Sequence, residues 1–219
     1  MPDLTPPPPP PTPPVRVAAF AERSAAAPQR LASTSAPPLQ AAVAAATAAI
    51  RPRADGGGSA PLLTQPTDGA GVRGGPAALA AVIEGDFGRA YFVTGEISGR
   101  AYAPGVVFVD PTITVPGLDA WRSNIAALVP FLVNPTIELE GGAVEVMEGG
   151  GGGGPPPTLR AAWRLRTGVA LPWRPVVDVR GVTVYETARV GSGALVVARH
   201  TEAWRTPAWR AVGQLLWGK

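Results

Sequence analysis

Leu159 to Leu171 carries the clearest pattern in the chain. Leu159, Ala161, Trp163, Leu165, Val169 and Leu171 fall on one face of an extended strand, with Arg160, Arg164 and Arg166 on the other. Thr136 to Val146 alternates weakly, while Val182–Tyr185 and Leu195–Trp204 read as two further strands joined by a Gly191-Ser192-Gly193 turn. Upstream the period is helical. Pro76 suits a first helical turn, where its missing N–H would have had no partner, and Leu79, Val82 and Ile83 follow at i, i+3, i+4. Thr94 reads as the cap of a second helix, with Glu96 in its positive first turn. Ile97, Ala101 and Tyr102 share a face of that helix, and Pro104-Gly105 stops it. Val106–Val109 is a short β-rich run leading into Asp110-Pro111-Thr112. A third helix opens near Asp119, with Trp121, Ile125, Leu128 and Leu132 at helical spacing and Pro130 kinking or ending it. Thr206-Pro207 begins a closing helix with Trp209, Val212 and Leu216. Three helical elements followed by about four antiparallel strands predict an α+β domain whose helices pack on one sheet.

Residues 1–75 show no such pattern. They hold 15 of the 27 prolines, and Phe20 is their single aromatic residue. A segment of this kind buries too little apolar surface to offset the entropy of ordering it. Residues 6–14 are nearly continuous proline and favour a polyproline II rod. From Val15 to Arg53 the chain is rich in Ala, Ser, Pro and Arg with Glu22 as the lone acid, the character of an organellar transit segment. The division expected is therefore a disordered, transit-like segment over 1–53, a Gly-rich linker over 54–75 and one domain over 76–219. The run Gly149–Gly154 followed by Pro155–Pro157 is an excursion between strands. It lacks the Lys-Ser/Thr ending of a phosphate loop, so nucleotide binding is not expected there.

The 219 residues contain no Cys and one His. Thiol chemistry and disulfides are excluded, and a zinc site, which wants several N or S ligands, is not expected. No cofactor is implied. No apolar run reaches the roughly 18–20 residues that span a membrane. Eight Arg lie between Arg160 and Arg205 against Asp178, Glu186 and Glu202. They are dispersed along strands without aromatic platforms, which points to a solvated sheet face rather than to nucleic acid.

The candidate chemistry is sparse. His200, Glu202 and Trp204 share a strand face, with i, i+2 Cβ atoms on the order of 7 Å apart. They suit either a base with its orienting group, bridged by substrate or water, or a hydrogen-bonded core histidine with Glu202 paired to an Arg. Asp110 ends a strand at the rim of any cavity between the layers. It is either a carboxylate whose pKa burial would raise or a turn former that satisfies nearby N–H groups. Trp121, Trp163 and Trp204 suit the core and, after it, a pocket lining. Trp173, in the break Pro172-Trp173-Arg174-Pro175, either meets a partner or covers the end of the sheet.

Four stretches in order, YFVTGEISGRAYAPGVVFVDPT, GLDAWRSNIAALVPFL, LPWRPVVDVRGVTVYE and RHTEAW, resemble a plant and algal family of unknown function within the nuclear transport factor 2-like, or SnoaL-like, superfamily. The resemblance covers roughly residues 84–217, and the Gly149–Pro157 insertion departs from it. It implies a cone-shaped α+β fold, N-terminal helices on a curved antiparallel sheet with a pocket at the open end, and a plastid location. Fold does not choose among that superfamily's activities. Three expectations follow: a binder of a small apolar molecule in a Trp-lined pocket, an acid–base isomerase or cyclase using Asp110 with His200 and Glu202, or a scaffold, homodimeric through the outer sheet face. Convergence of Asp110 and His200 on one lined pocket would favour the second.

Overall fold

The computed structural model describes residues 69–111, 113–147, 154–191, 193–207, 210, 213 and 214. The transit-like segment, most of the linker, the core of the Gly149–Pro157 excursion and most of the closing helix, with Trp209, Val212 and Leu216, lie outside these residues.

Helix α1 spans Gly75–Gly88 and has Pro76 in its first turn. The predicted stripe does the packing, since Leu79 and Ile83 are fully buried and Phe87 continues the face beyond Gly85. The end of the Gly-rich stretch expected to be linker is already part of the fold here. Val72 pairs with Leu195 through two backbone bonds of 2.8 and 3.0 Å. Gly71 sits so near that strand, at φ 76°, that a Cβ would come within 2.8 Å of Val190.

The helix expected from Thr94 does not form. A short helix α2, Tyr91–Thr94, ends at Thr94 instead, and Gly95 at φ 73° turns the chain away from it. The Thr94 hydroxyl does accept the Glu96 N–H (3.1 Å), the predicted local bond without the helix after it. Residues 95–98 run without regular structure, a 3₁₀ turn covers Gly99–Ala101, and Ile97, Ala101 and Tyr102 are buried by that path. Asp86 fixes the bend: buried at the end of α1, it accepts the Ser98 N–H and hydroxyl and pairs with Arg89. Its burial pushes the carboxyl pKa up, against those bonds.

Strand β1, Tyr102–Val109, runs through Pro104-Gly105, which lie where its register shifts, as proline inside a sheet requires. Asp110 ends it, β2 covers Thr114–Pro116, and α3 covers Leu118–Leu128, with Trp121 and Ile125 buried as the period predicted. Leu132 belongs not to α3 but to β3, Leu132–Leu139, which follows a 3₁₀ turn over Val129–Phe131. Strands β4 (Glu145–Met147), β5 (Thr158–Val169), β6 (Val176–Val190) and β7 (Ala194–Trp204) complete the described elements.

These seven strands form one sheet in the order β2-β1-β7-β6-β5-β3, with β4 also on β5. Every pairing is antiparallel except β1 with β7, which is parallel. The all-antiparallel sheet of about four strands is thus corrected to a mixed sheet of seven. The curved sheet does not close, and the helices fill its inner side, so the architecture is an α+β cone. Trp163 anchors the middle of it. Its indole N–H donates to the Thr183 hydroxyl (2.8 Å), and its ring covers Gly181, where a Cβ would lie 2.4 Å away.

Candidate functional site

Three strands bring the site together in one register row. On the inner face His200 of β7 stands opposite Tyr185 of β6 and opposite Phe108 of β1. One step along, Glu202 faces Thr183. Because β1 runs parallel to β7 with Val109 beside Thr201, the residue that ends β1 emerges next to the far half of β7. Asp110 arrives beside the pair in this way.

His200 is 1% exposed and Glu202 6%. The period-two rule placed them on one face, and they meet directly: His200 Nε2 lies 3.0 Å from Glu202 Oε1. Aromatic rings surround the imidazole, with Tyr185 edge-on at 4.9 Å between centroids, Phe108 at 5.0 Å, and Tyr91 and Tyr102 both at 6.4 Å. Both side chains are almost wholly removed from bulk solvent, so their interaction is stronger than at a surface, and so is the cost of leaving either group alone. Burial holds the tyrosine hydroxyls protonated. For Tyr91 and Tyr102 it is followed by the influence of Tyr185, and for Tyr185 by the charge of Glu202, all raising the pKa. The Tyr91 and Tyr185 hydroxyls and His200 Nδ1 make no hydrogen bond of full geometry among the described residues.

Asp110 does what its turn chemistry demands. Its Oδ1 accepts the Ile113 N–H (2.9 Å), and its own N–H donates to the Ile113 carbonyl (3.0 Å). It also lines a cavity of about 40 Å³ whose walls include Phe108, Trp121, His200 and Glu202. Room for a water takes roughly 10–15 Å³ on this measure, so the cavity has space for about three water-sized groups. The remaining walls are largely apolar, from Phe92, Val115, Ile125 and Leu128 among others, with the Asn124 amide in addition.

Of the residues singled out in the sequence, Asp110, His200, Glu202 and Trp121 share this cavity, and Trp163 and Trp204 do not line it. Trp163 is spent on Thr183 and Gly181. Trp204 packs, partly buried, against the core at the end of β7, opposite Gly181. Two residues sequence reasoning missed matter here. Phe108 lay in the apolar run before Asp110, but nothing local said that run would lie beside His200. Tyr185 was inside a predicted strand whose partner register was not legible. Among the described residues, no group of three or more His, Asp or Glu side chains is placed to hold a metal ion.

No protein-family model matches the chain, and no curated protein matches it significantly. Solved structures do resemble it. A ketosteroid isomerase-like protein from Erwinia carotovora atroseptica is 14% identical, over 58% of this chain and 97% of that one, with a TM-score of 0.43. A nuclear transport factor 2-like superfamily protein from Salmonella enterica is 10% identical, over 57% and 84%, also at 0.43. A type 2 hexachlorocyclohexane dehydrochlorinase is 8% identical, over 57% and 84%, at 0.46. At these identities the likeness concerns the path of the chain and not its chemistry.

Proposed function

We propose that this protein is an acid–base catalyst, of isomerase or cyclase type, for a small and largely apolar molecule whose reacting end enters the cavity of Asp110, His200 and Glu202. The observation that carries this reading is the convergence of all three on one mostly apolar cavity, with His200 and Glu202 already paired at 3.0 Å. Glu202 holds the ring, and when the pair takes a proton from substrate, the imidazolium that forms lies beside a carboxylate that balances it. An isomerisation must return a proton at a second position. Asp110, held on the cavity wall by its turn, is placed to do so in its protonated form. It then regains a proton from solvent while the His200 imidazolium releases its own, which closes the cycle. The apolar walls exclude water from the reacting end, and the small volume means that only this end is enclosed.

The plastid is the compartment we propose, on the acid-poor Arg, Ser and Ala composition of residues 15–53. A reporter fused after residue 75 that stays in the cytosol removes that part of the proposal.

The catalytic part is tested by proton exchange. The full chain is incubated in D₂O with a panel of small cyclic ketones and enones, and deuterium at carbon is read by mass spectrometry. Wild-type protein should catalyse incorporation into at least one of them. His200→Gln should slow it by about 10²–10⁴-fold while remaining folded, the range for a lost general base. Retention of a compound by the wild type with no exchange would overturn the catalytic reading and leave a binding protein.

A further inference from the structure

A second concavity lies at the far end of the sheet, away from the acid–base site. It opens where β3 begins, β5 ends and β6 begins, and encloses about 1100 Å³. None of its twelve described lining residues is acidic, and two, Arg166 and Arg174, are cationic. Neither arginine is in an ion pair among the described residues, unlike Arg160, Arg164, Arg180, Arg199 and Arg205 of the same sheet. Asp178, whose charge Arg166 feels, is already held at two points by Arg164.

The apolar side chains around it are as unusual as the charges. Six large hydrophobic residues are exposed among the described residues, and four of them, Val129, Val133, Trp173 and Val176, belong to this end of the sheet. Trp173 is 52% exposed, Val133 45% and Val176 40%. They come from two stretches of chain far apart in sequence, 129–133 and 173–176, so no single loop accounts for the patch. The backbone is also held in costly conformations here. Among the described residues, three that are not glycine have positive φ, and two of them, Asn134 at 48° and Arg174 at 44°, line this concavity.

We infer that this end of the sheet docks the protein on an anionic phospholipid membrane. Arginine's planar fork matches phosphate oxygens at two points. Two guanidinium groups outside any described ion pair, in a concavity whose described lining has no acid and beside an Asp178 already held by Arg164, attract a negatively charged surface. Tryptophan favours the boundary between headgroups and acyl chains, where its ring is partly wet and partly apolar. Valines to either side enter the same layer, and a buried contact of this kind adds to the electrostatic attraction. The concavity is open, with its apolar groups exposed around it rather than lining a closed tunnel. That shape holds a headgroup while the lipid chains stay in the bilayer, and it does not extract a whole lipid. No helix among the described residues is long and apolar enough to cross a membrane, so attachment would be peripheral.

The full chain is sedimented with vesicles of phosphatidylglycerol mixed into phosphatidylcholine, and with phosphatidylcholine vesicles alone. Binding should require the anionic lipid and weaken as salt rises. Arg166→Gln and Arg174→Gln should each lower affinity about fivefold, the worth of one basic group near an anionic surface. Trp173→Ser should lower it on the order of tenfold, because it removes an interfacial anchor. The pair R166K/R174K, which keeps the charge and loses the two-point match to phosphate, should fall between wild type and R166Q/R174Q, which a purely structural role of the arginines would not produce. Failure to sediment with anionic vesicles overturns the inference. Sedimentation unchanged by all these substitutions overturns it too, and assigns the binding to the arginines of residues 1–75. A short-chain phosphatidylglycerol bound as monomer, as tightly as the vesicles, would replace the membrane surface with a site for single lipids.

Discussion

The two faces of β5, β6 and β7 place charges by the same rule and to opposite effect. On the outer face, arginines and acids meet: Arg160 with Glu145 at 2.7 Å and Arg164 with Asp178 at 2.5 Å across neighbouring strands, and Glu140, just past the end of β3, with Arg180 at 3.1 Å and with Arg205 at 3.3 Å. Water reaches these groups, so each pair is worth about 0–1 kcal/mol. On the inner face the three strands carry one such pair, His200 with Glu202, among Tyr91, Tyr102, Phe108 and Tyr185. There the desolvation cost is of the same order as the attraction, and neither partner can be lost without stranding the other. The crowded face therefore keeps its charges hydrated, and the sparse one carries the risk and, on the function proposed, the chemistry.

The sharpest break in this contrast is a substitution on the inner face that touches no charge. Trp163→Ala removes the ring from above Gly181 and leaves the Thr183 hydroxyl without its donor, so about 3–5 kcal/mol of stability should be lost. Urea unfolding gives the number, and a loss below 1 kcal/mol would mean the sheet collapses around the gap.

The next effect should come from the buried pair itself. Glu202→Ala leaves His200 buried without its partner and should cost about 3 kcal/mol or more. Replacing both residues by leucine should restore much of that loss, because two apolar groups need no solvation. The double-mutant cycle decides the matter. Additive losses would show that the two side chains do not depend on each other, and the inner face would then obey the same rule as the outer.

Much of this contrast was legible in the sequence, because alternation along a strand is a local property. The run Leu159–Leu171 separated the arginines from the core residues, and the period-two rule put His200 and Glu202 on one face. The stripe of Trp121 and Ile125 marked α3 for the same reason. What was not legible depended on partners. No pattern in Val106–Val109 says that it will lie parallel to β7, and that one pairing brings Phe108 and Asp110 to His200. Thr94 misled because its hydroxyl bonds to Glu96 whether a helix starts there or ends there, and Gly95 decided between the two. Trp204 shares a face with His200 but lies at the end of its strand, past the residues that line the cavity. A shared face was necessary for the site, and position along the strand excluded Trp204 from it.

The smallest effect should come from the best outer pair. Arg164 holds Asp178 through Nε at 2.9 Å and a second nitrogen at 2.5 Å, and this bond above all, opposed by some burial, lowers the Asp178 carboxyl below its usual range. A carboxylate with a depressed folded pKa adds stability above its unfolded pKa and loses it as pH falls through the folded value. Asp178→Asn should therefore destabilise by under about 1 kcal/mol near neutral pH. The difference from wild type should begin to shrink below about pH 4 and vanish once the wild-type carboxyl is protonated. Raised salt should shrink it as well, since both groups are partly exposed, whereas it should leave the Glu202→Ala loss nearly unchanged. Denaturation midpoints across pH and salt for the two variants make that comparison directly. An Asp178→Asn loss that survives acid and salt would place this pair with the buried one, and the distinction between the two faces would fail.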